Sequence, residues 1–314
     1  MPEISTSAPS VVVPGNLDGV HRGHQALIEH ASSIARSNQL CVVALTFEPH
    51  PAQFFAPDRA PAPLCTLERK SKLLKAYGVD TVHVANFDRA FSELSPESFI
   101  ESVLIKQLNA QAIVPGKNFH FGKNRAGNTE VLVHLGKKYG LKGDAVSHVS
   151  LGEEVISSTR IRECLKSTRV AEASQLMARA YDIEGIVTQG KQIGRTLGFP
   201  TANLDEIQTL VPSQGVYLIA AYLPGDTQKT IRFGVCNIGS RPTLNTGKAI
   251  ETHLFDENID LYGRTLRIAF LEHLRDEQRF EHVDALKAQI AKDVEKAKVM
   301  LSSVSPHLWS LLSR

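Results

Sequence analysis

The stretch VVVPGNLDGVHRGH, residues 11–24, decides the fold of the first half of the chain. It begins as an apolar β-branched run, which is typical of a buried strand, and passes through glycines into a segment with helical spacing. A helix that starts directly after a strand presents free backbone N–H groups and a partial positive charge of about half an electron, which favour anion binding. His21 and His24 stand three residues apart, so both lie on one face at this helix start. We therefore expect a phosphate site here.

The surrounding sequence alternates short β-branched runs with longer amphipathic segments as far as Tyr181. This pattern predicts an α/β, Rossmann-like domain with a parallel sheet flanked by helices. The predicted strands are residues 11–13, 41–46, 81–84, 112–114 and 144–149, and the predicted helices are residues 24–36, 67–77, 96–108, 129–139 and 158–165.

After Tyr181 the pattern changes to strand-like segments separated by Gly, Pro and Asn, without helices between them. Regular short strands of this kind predict a small antiparallel β-barrel. The predicted strands are residues 183–187, 215–222, 231–236, 250–255 and 265–270, and a long helix over residues 283–301 follows. We predict two domains, residues 1–182 and residues 183–314.

Composition limits the class of protein. The chain has 314 residues, 42% hydrophobic and 22% charged, which is close to the average of globular proteins. A net charge of only +2 argues against a dedicated nucleic-acid binder. No signal peptide or membrane span is visible, so no membrane is expected as a partner. The four cysteines form no CxxC pair, which favours reduced thiols in the cytoplasm. Nothing in the sequence indicates the oligomeric state.

The first phosphate site does not use either of the two common nucleotide fingerprints. Residues 11–24 lack the Lys-Ser/Thr ending of a P-loop and the glycine pattern of a dinucleotide fold. A zinc site on His21 and His24 would need two further ligands, and the sequence offers no companion cluster. A different nucleotide-binding motif is therefore indicated.

The segment GNLDGVHRGH resembles the HxGH signature of the cytidylyltransferase-like nucleotidyltransferases, in its flavin-adenylyltransferase form. Three further blocks follow in the order of that family: FEPHP at residues 47–51, GKNFHFGKNRAG at residues 116–127 and ISSTRIR at residues 156–162. The resemblance implies transfer of AMP from ATP to the phosphate of FMN. Such a reaction needs positioning and charge stabilisation rather than a base, because the acceptor phosphate itself attacks.

The resemblance also implies roles for individual residues. His24 would stabilise the transition state, and phosphate contacts would come from Gly15, Asp18, His21, Ser158, Thr159 and Arg162. Asn118, Phe47 and His50 would contact the substrate, although His50 could equally be an ordinary loop histidine. Two positions depart from the family pattern: Leu17 replaces a usual Phe, and Val155 stands where many relatives carry Arg. The second change would weaken triphosphate binding.

A second glycine-rich segment, GKQIGRTLGFPTAN, occupies residues 190–203. Gly190, Gly194 and Gly198 would let a phosphate approach the backbone. Alternation points Thr201 and Asn203 to the same side, where their oxygens could share one hard cation such as Mg²⁺. A glycine-rich hairpin with no ligand is the alternative for this segment taken alone.

This segment resembles the nucleotide-binding signature of riboflavin kinases, including the PTAN core. Blocks GVCNIGSRPT, ETHLFD, DLYG and LRDEQRF follow in that family's order at residues 234–243, 251–256, 260–263 and 274–280. The resemblance implies that Glu251 is the general base that takes the proton from a ribityl hydroxyl. It also implies that Arg275 and Phe280 line the flavin pocket, although Phe280 could equally belong to the core.

Together the two resemblances imply a bifunctional enzyme that converts riboflavin to FMN and FMN to FAD. ATP and Mg²⁺ would be required, and the partners would be flavins and ATP, without nucleic acid. Three alternatives stay open: only one active site works, a different phosphorylated acceptor receives the nucleotide, or the chain binds flavin without turnover. The second alternative leaves the PTAN block and Glu251 unexplained.

Overall fold

The computed structural model describes residues 8–147, 149–189, 197–240, 248–255, 257 and 259–314. The chain forms two compact units. The first comprises Met1–Ala62 and Leu67–Ser157, and the second comprises Pro63–Thr66 and Ser158–Arg314. No helix within the described ranges has the length and apolar character that crossing a membrane requires.

The first unit contains a parallel five-stranded sheet in the order β3-β2-β1-β4-β5. Its strands are β1 Ser10–Pro14, β2 Cys41–Glu48, β3 Thr81–Asn86, β4 Ala110–Ile113 and β5 Lys142–Gly143. Strand β1 is buried along its whole length, as expected for a central parallel strand covered on both faces. The strand order reverses between β1 and β4, and ligands of such sheets bind at the carboxyl ends beside that reversal. The predicted α/β architecture is confirmed.

Helices connect these strands, and their apolar spacing explains how they pack. They are α1 Arg22–Asn38, α2 Pro51–Phe55, α3 Leu67–Ala76, α4 Arg89–Ser92, α5 Pro96–Ser98 and α6 Thr129–Gly136, and α5 continues as a π-helical segment, Phe99–Gln107. Helix α1 buries Leu27, Ile28, Ala31 and Ala35, which lie on one face at helical spacing. The chain therefore leaves β1 and returns over the sheet without a long loop.

The predicted strand at residues 144–149 is wrong. Among its described residues the only pairing is an isolated bridge between Val146 and Gly116, and β5 ends earlier, at Gly143. An edge strand has a neighbour on one side only, and the side chains here stay mostly exposed, so burial does not extend the pairing. A short antiparallel hairpin follows instead, with strands β6 Ser150–Leu151 and β7 Glu154–Val155.

The second unit contains a closed antiparallel barrel in the order β10-β11-β12-β9-β8-β13. Helices α7 Ser158–Lys166 and α8 Val170–Met177 precede it, and helix α9 Val283–Leu301 follows it. The strands are β8 Tyr181–Thr188, β9 Ala202–Asp205, β10 Gly215–Tyr222, β11 Arg232–Ser240, β12 Lys248–Leu254 and β13 Thr265–Arg275. The predicted barrel and terminal helix are confirmed, and β9 is the strand that the sequence pattern missed. A functional division after residue 182 stays a prediction.

Helix α9 is tied to the barrel by a buried ion pair as well as by apolar contacts. The carboxylate of Asp293 accepts hydrogen bonds from Arg275, at 3.0 Å from Nε and 2.8 Å from Nη2, and from Gln289 at 2.9 Å. Val294 and Ala297 pack beside it in the apolar cluster of the barrel. Two hydrogen bonds from one guanidinium offset part of the cost of taking the charges out of water. The pair therefore fixes α9 at the end of β13.

Replacing Asp293 by Ala should lower the free energy of unfolding of the second unit by about 3 kcal/mol, because Arg275 is left without its carboxylate. Trp309 is the one tryptophan of the chain, and its ring contacts Phe233 of β11 at 5.1 Å between centroids. Its fluorescence during urea unfolding therefore reports this unit.

Glu295→Ala is the matched control, since Glu295 is exposed on the same helix. It should change the free energy of unfolding by no more than about 0.5 kcal/mol. Equal urea midpoints for the two variants would contradict a stabilising role of the ion pair.

Candidate active sites

The loop between β1 and α1 lies at the carboxyl end of β1, beside the reversal of strand order. Its backbone is held in an unusual form: Leu17, Gly19 and Val20 have φ values of 51°, 78° and 42°. For a residue with a Cβ this left-handed form costs roughly 1–2 kcal/mol. The side chains of Leu17 and Val20 are fully buried, so packing offsets the strain. The loop is therefore preorganised without a ligand.

The two histidines that this loop presents stack on each other, with ring centroids 3.6 Å apart and planes inclined by 20°. Gly23 lies between the two histidines in the sequence, and a larger residue there would crowd this stack. A Cβ on Gly23 would lie 3.0 Å from Cε1 and 3.1 Å from Nδ1 of His21. The carbonyl oxygen of Ile156, the first residue of the ISSTRIR block, lies 3.8 Å from the same point. The start of that block is thus brought beside the HxGH motif.

Burial sets the charge of the histidine pair. Burial lowers the pKa of His21 to about 4. It also lowers the pKa of His24 well below 6.5, and repulsion by His21, when that ring is protonated, and by Lys70 lowers it further. Nδ1 of each ring is buried and has no hydrogen-bond partner within the described part of the chain. At neutral pH the site therefore offers two uncharged imidazoles with unused hydrogen-bonding capacity.

Lys70 of α3 is a residue of this site that the sequence reasoning missed. Its side chain is buried, and its Nζ donates to the carbonyl oxygen of Asn16 at 3.1 Å and to Oγ1 of Thr46 at 3.0 Å. The hydroxyl of Thr46 also donates to the Asn16 carbonyl, at 3.1 Å. The sequence did contain a signal for Lys70: it lies three and four residues before Leu73 and Leu74, on the buried face of α3. A lysine on a helix face that should be apolar is unusual.

The other predicted phosphate ligands are divided between the two compact units. Asp18 is buried in the β1–α1 loop, and the backbone N–H of Gly15 donates to the carbonyl oxygen of Leu45 at 3.0 Å. Ser158, Thr159 and Arg162 lie in the first turns of α7 and belong to the second unit. Their grouping with the histidines stays a prediction.

The predicted flavin contacts of the first site are only partly exposed. Asn118 is exposed in the turn that follows β4. Phe47 is only 9% exposed and its ring packs edge-on against Phe87 and Phe91 at 6.0 and 5.8 Å. His50 caps α2, because its Nδ1 accepts the backbone N–H of Ala52 at 3.0 Å. Phe47 and His50 thus have structural roles, and the predicted flavin contacts of all three residues stay predictions.

Two exposed aromatic rings beside these residues were not predicted. Phe55 is 66% exposed and Phe54 is 36% exposed, and both lie on α2. Their rings contact Phe87, at 5.7 and 5.6 Å between centroids. The sequence signal was the FF pair two residues after FEPHP, a pair that would equally be expected in an apolar core.

In the barrel, strand pairing aligns three polar side chains. Asn203 of β9 lies directly opposite Glu251 of β12, and Glu251 lies opposite Asn237 of β11. Antiparallel partners on one face have Cβ atoms only about 5 Å apart. All three line a cavity of about 490 Å³, whose wall also includes Thr201, Val216, Val235, His253, Arg275, Phe280 and Ile290. Glu251 is therefore a cavity residue and not a solvated strand residue.

A second cavity of about 600 Å³ lies in the same unit, and Thr201 lines both cavities. Its wall includes Val187, Pro200, Ala202, Thr252, Leu254, Asp260 and Tyr262. Gly198 lies in the preceding turn with a left-handed φ of 88°, a conformation that favours glycine. Gly190 and Gly194 fall outside the described residues.

The residues around Thr201 suit a hard cation that is held mainly by substrate. Asn203 is 5% exposed, and its Oδ1 is buried without a hydrogen-bond partner among described residues. No group of three or more His, Cys, Asp or Glu side chains that could hold a metal occurs in the described ranges. Mg²⁺ is typically bound by few protein oxygens together with substrate phosphates. The hydroxyl of Thr201 and the amide oxygen of Asn203 fit that role.

Arg275 and Phe280 both line the cavity that contains Glu251, as the sequence predicts for a flavin pocket. The charge of Arg275 is already satisfied by Asp293, and its guanidinium lies 5.9 Å from the ring centroid of Phe280. The ion pair thus holds Arg275 in the cavity wall, and the predicted contacts of Arg275 and Phe280 with flavin stay predictions.

Comparison with known proteins agrees with both halves of this description. Residues 3–160 match the family model described as FAD synthetase, and residues 177–301 match the model described as riboflavin kinase. The chain is 38% identical over 297 residues to the bifunctional riboflavin kinase/FMN adenylyltransferase of Escherichia coli (strain K12), covering 94% of each chain. It is also 38% identical to the protein of that name from Pseudomonas fluorescens, covering 95% of this chain and 94% of the relative.

A solved structure described as a macrolide-efflux protein from Streptococcus pneumoniae is 31% identical, with a TM-score of 0.84 over 94% of this chain and 96% of that one. Its description differs from the names of the sequence relatives, while its fold is similar along nearly the whole chain. The two family models and the full-length relatives agree with each other, so the chain belongs to the bifunctional riboflavin kinase/FMN adenylyltransferase family.

Proposed function

We propose that the barrel phosphorylates riboflavin at Glu251 and that the HxGH loop adenylylates the resulting FMN at His24. The activities themselves, riboflavin kinase and FMN adenylyltransferase, follow from membership of the family. The observation that carries the residue assignment is the row Asn203, Glu251 and Asn237 across the cavity wall. A cytoplasmic location is part of the proposal, because all four cysteines are free and both reactions consume ATP.

In the kinase reaction a neutral ribityl hydroxyl attacks the γ-phosphate of ATP and must lose its proton. The carboxylate of Glu251 is the acceptor for that proton, since it is the acid in the row on the cavity wall. The apolar wall that Val216, Val235 and Ile290 provide suits the flavin ring. The cavity next to Glu251 is therefore assigned to riboflavin.

The second cavity is assigned to ATP, with the phosphates directed towards Thr201. Thr201 lines both cavities, so a γ-phosphate beside it is close to a hydroxyl in the first cavity. The hydroxyl of Thr201 and Oδ1 of Asn203 would hold Mg²⁺. When bound, Mg²⁺ neutralises charge on the phosphates. Positioning donor and acceptor on two sides of one residue supplies the in-line geometry that phosphoryl transfer needs.

In the adenylyltransferase reaction the attacking group is the phosphate of FMN. Such a phosphate is already largely ionised at neutral pH, because its second pKa is about 6. No base is required, and the protein has to position the two phosphates and stabilise the α-phosphate. His21 and His24 are assigned as hydrogen-bond donors, and Ser158, Thr159 and Arg162 as contacts of the remaining phosphate oxygens. Phe54 and Phe55 join the predicted substrate contacts Asn118, Phe47 and His50, because their exposed rings can stack on a flavin.

The purified protein incubated with riboflavin, ATP and Mg²⁺ should form first FMN and then FAD, which chromatography of the flavins resolves. A single product would favour the alternative in which only one site is active. That alternative is motivated by Val155, which is exposed and stands where the resemblance implies Arg in many relatives. Flavin binding without ATP consumption would favour a non-enzymatic binding protein.

Substitutions should separate the two reactions. Glu251→Gln should lower FMN formation at least about 100-fold, because the proton acceptor is lost, while conversion of added FMN to FAD is retained. His24→Ala should do the reverse, with a loss of about 100-fold or more in FAD formation. Each activity is the folding control for the other. Loss of both activities in a folded variant would contradict two independent sites.

Mg²⁺ dependence should distinguish Asn203 from the rest of the cavity wall. Asn203→Ala should abolish FMN formation at ordinary Mg²⁺ concentrations, and activity should return in part as Mg²⁺ is raised, because one metal ligand is lost. The Mg²⁺ dependence of FAD formation in the same protein is the control and should not change. An unaltered Mg²⁺ dependence of FMN formation would remove Asn203 from the metal site.

The ring signals of His21 and His24 in NMR spectra of ligand-free protein should not titrate between about pH 6 and 8. Burial lowers the pKa of His21 to about 4 and that of His24 well below 6.5, so both rings stay neutral throughout this range. His21→Gln and His24→Gln assign the signals. The same histidines in urea should titrate near 6.5. A folded-state midpoint near that value would contradict the neutral pair.

A further inference from the structure

Lys70 is unusual because it is a buried cation without a carboxylate. It is 7% exposed, and within the described part of the chain it forms no ion pair. Its ammonium group donates to the Asn16 carbonyl and to the Thr46 hydroxyl, both uncharged. Moving an ammonium group out of water costs several kcal/mol even after the protein relaxes. An apolar side chain of similar length would avoid that cost, so packing alone does not explain the lysine.

Both hydrogen-bond partners of Lys70 lie near the carboxyl ends of the parallel strands, where the HxGH motif is. Asn16 lies in the β1–α1 loop, between Gly15 and the strained Leu17. Thr46 lies towards the carboxyl end of β2, next to β1 in the sheet. The ammonium group has three N–H bonds and uses two on these partners. The third N–H bond has no acceptor among the residues that the structure describes. It could therefore donate to an oxygen of a bound phosphate.

The charge of Lys70 complements the neutral histidines. Lys70, on α3, is the permanently charged group among those that lower the pKa of His24, because His21 is itself neutral at neutral pH. Because the site has two uncharged imidazoles, the ammonium group is a fixed positive charge beside the HxGH motif. A buried charge acts through a low dielectric, so its effect on developing phosphate charge exceeds that of an exposed lysine.

We propose that Lys70 is a positioning residue for adenylyl transfer: it fixes the loop through Asn16 and supplies, beside His24, the positive charge that the imidazoles lack. This inference rests on the proposed function of the HxGH site. The two can fail separately, because wild-type protein that does not convert FMN to FAD would refute the function, whereas the test of Lys70 compares variants of an active protein.

The main test is Lys70→Met, which keeps an unbranched side chain of similar length and removes the charge. The Asn16 carbonyl keeps its hydrogen bond from Thr46. The turnover number for FAD formation should fall about 100-fold, the size of effect seen when one group that stabilises developing charge is lost. The KM for ATP should change much less. Riboflavin kinase activity should be unchanged, and a circular dichroism spectrum and urea unfolding curve like those of wild type show that the first unit is folded too.

Lys72→Met is the matched control on the same helix. Lys72 is exposed and pairs with Glu68 at 2.6 Å, so both activities should stay at wild-type level. Lys70→Arg retains the charge and should recover most of the turnover that Lys70→Met loses. Equal turnover in Lys70→Met and wild type would overturn the proposal.

A purely structural role is distinguished by Thr46→Val and by the titration of His24. Thr46→Val removes the hydrogen bond from Thr46 to the Asn16 carbonyl and the one from Lys70 to Thr46 but keeps the ammonium charge, so it should lower turnover only a few-fold. In Lys70→Met the pKa of His24 should rise, because a neighbouring positive charge no longer opposes protonation. NMR titration measures this shift. An equal loss in Thr46→Val and Lys70→Met, with an unshifted His24 titration, would reduce Lys70 to a packing residue and overturn the proposal.

Discussion

Closure of the barrel depends on four residues, Ala202–Asp205, which form the short strand β9. This strand pairs with β8 on one side and with β12 on the other, so without it the sheet would have two open edges. The same pairing sets Asn203 opposite Glu251. A slip of β9 by one residue would turn Asn203 to the other face, so the register that closes the barrel also places Asn203 opposite Glu251. Stability and chemistry are thus two results of one set of backbone hydrogen bonds.

The two sites meet different chemical demands with different kinds of residue. Phosphorylation of an alcohol needs a proton acceptor, and the cavity wall of the barrel supplies a carboxylate among amides. Adenylylation of a phosphate needs none; the HxGH motif supplies buried neutral imidazoles, and α3 supplies the buried ammonium group of Lys70. The first site is built on strands, whose register fixes distances. The second is built on a strained loop whose buried Leu17 and Val20 prevent it from relaxing.

Sequence reasoning located the parts that depend on local pattern. Residues 11–24 predicted a strand, a glycine loop and a helix, and the structure contains all three. Asn203 and Glu251 were predicted on the barrel, but their pairing was not, because strand register is a long-range property. Lys70 was missed for a related reason: its partners Asn16 and Thr46 are far away in the sequence. The prediction of a strand at residues 144–149 was wrong. The length of an edge strand depends on how much of it is buried as well as on the sequence pattern, and these residues are mostly exposed.

The position of Val155 suggests why an arginine could be replaced there. Position 155 lies on the two-residue strand β7 and its side chain is exposed, so a charge there would be screened by water and salt. Lys70 is buried, and at equal distance a charge in a medium of low dielectric interacts several times more strongly than one in water. An exposed arginine can therefore be lost from the hairpin at a smaller cost than the buried lysine. Of these two positions, a chain with Val155 and Lys70 keeps the cation that is less screened by solvent, and that cation donates a hydrogen bond to the β1–α1 loop at Asn16.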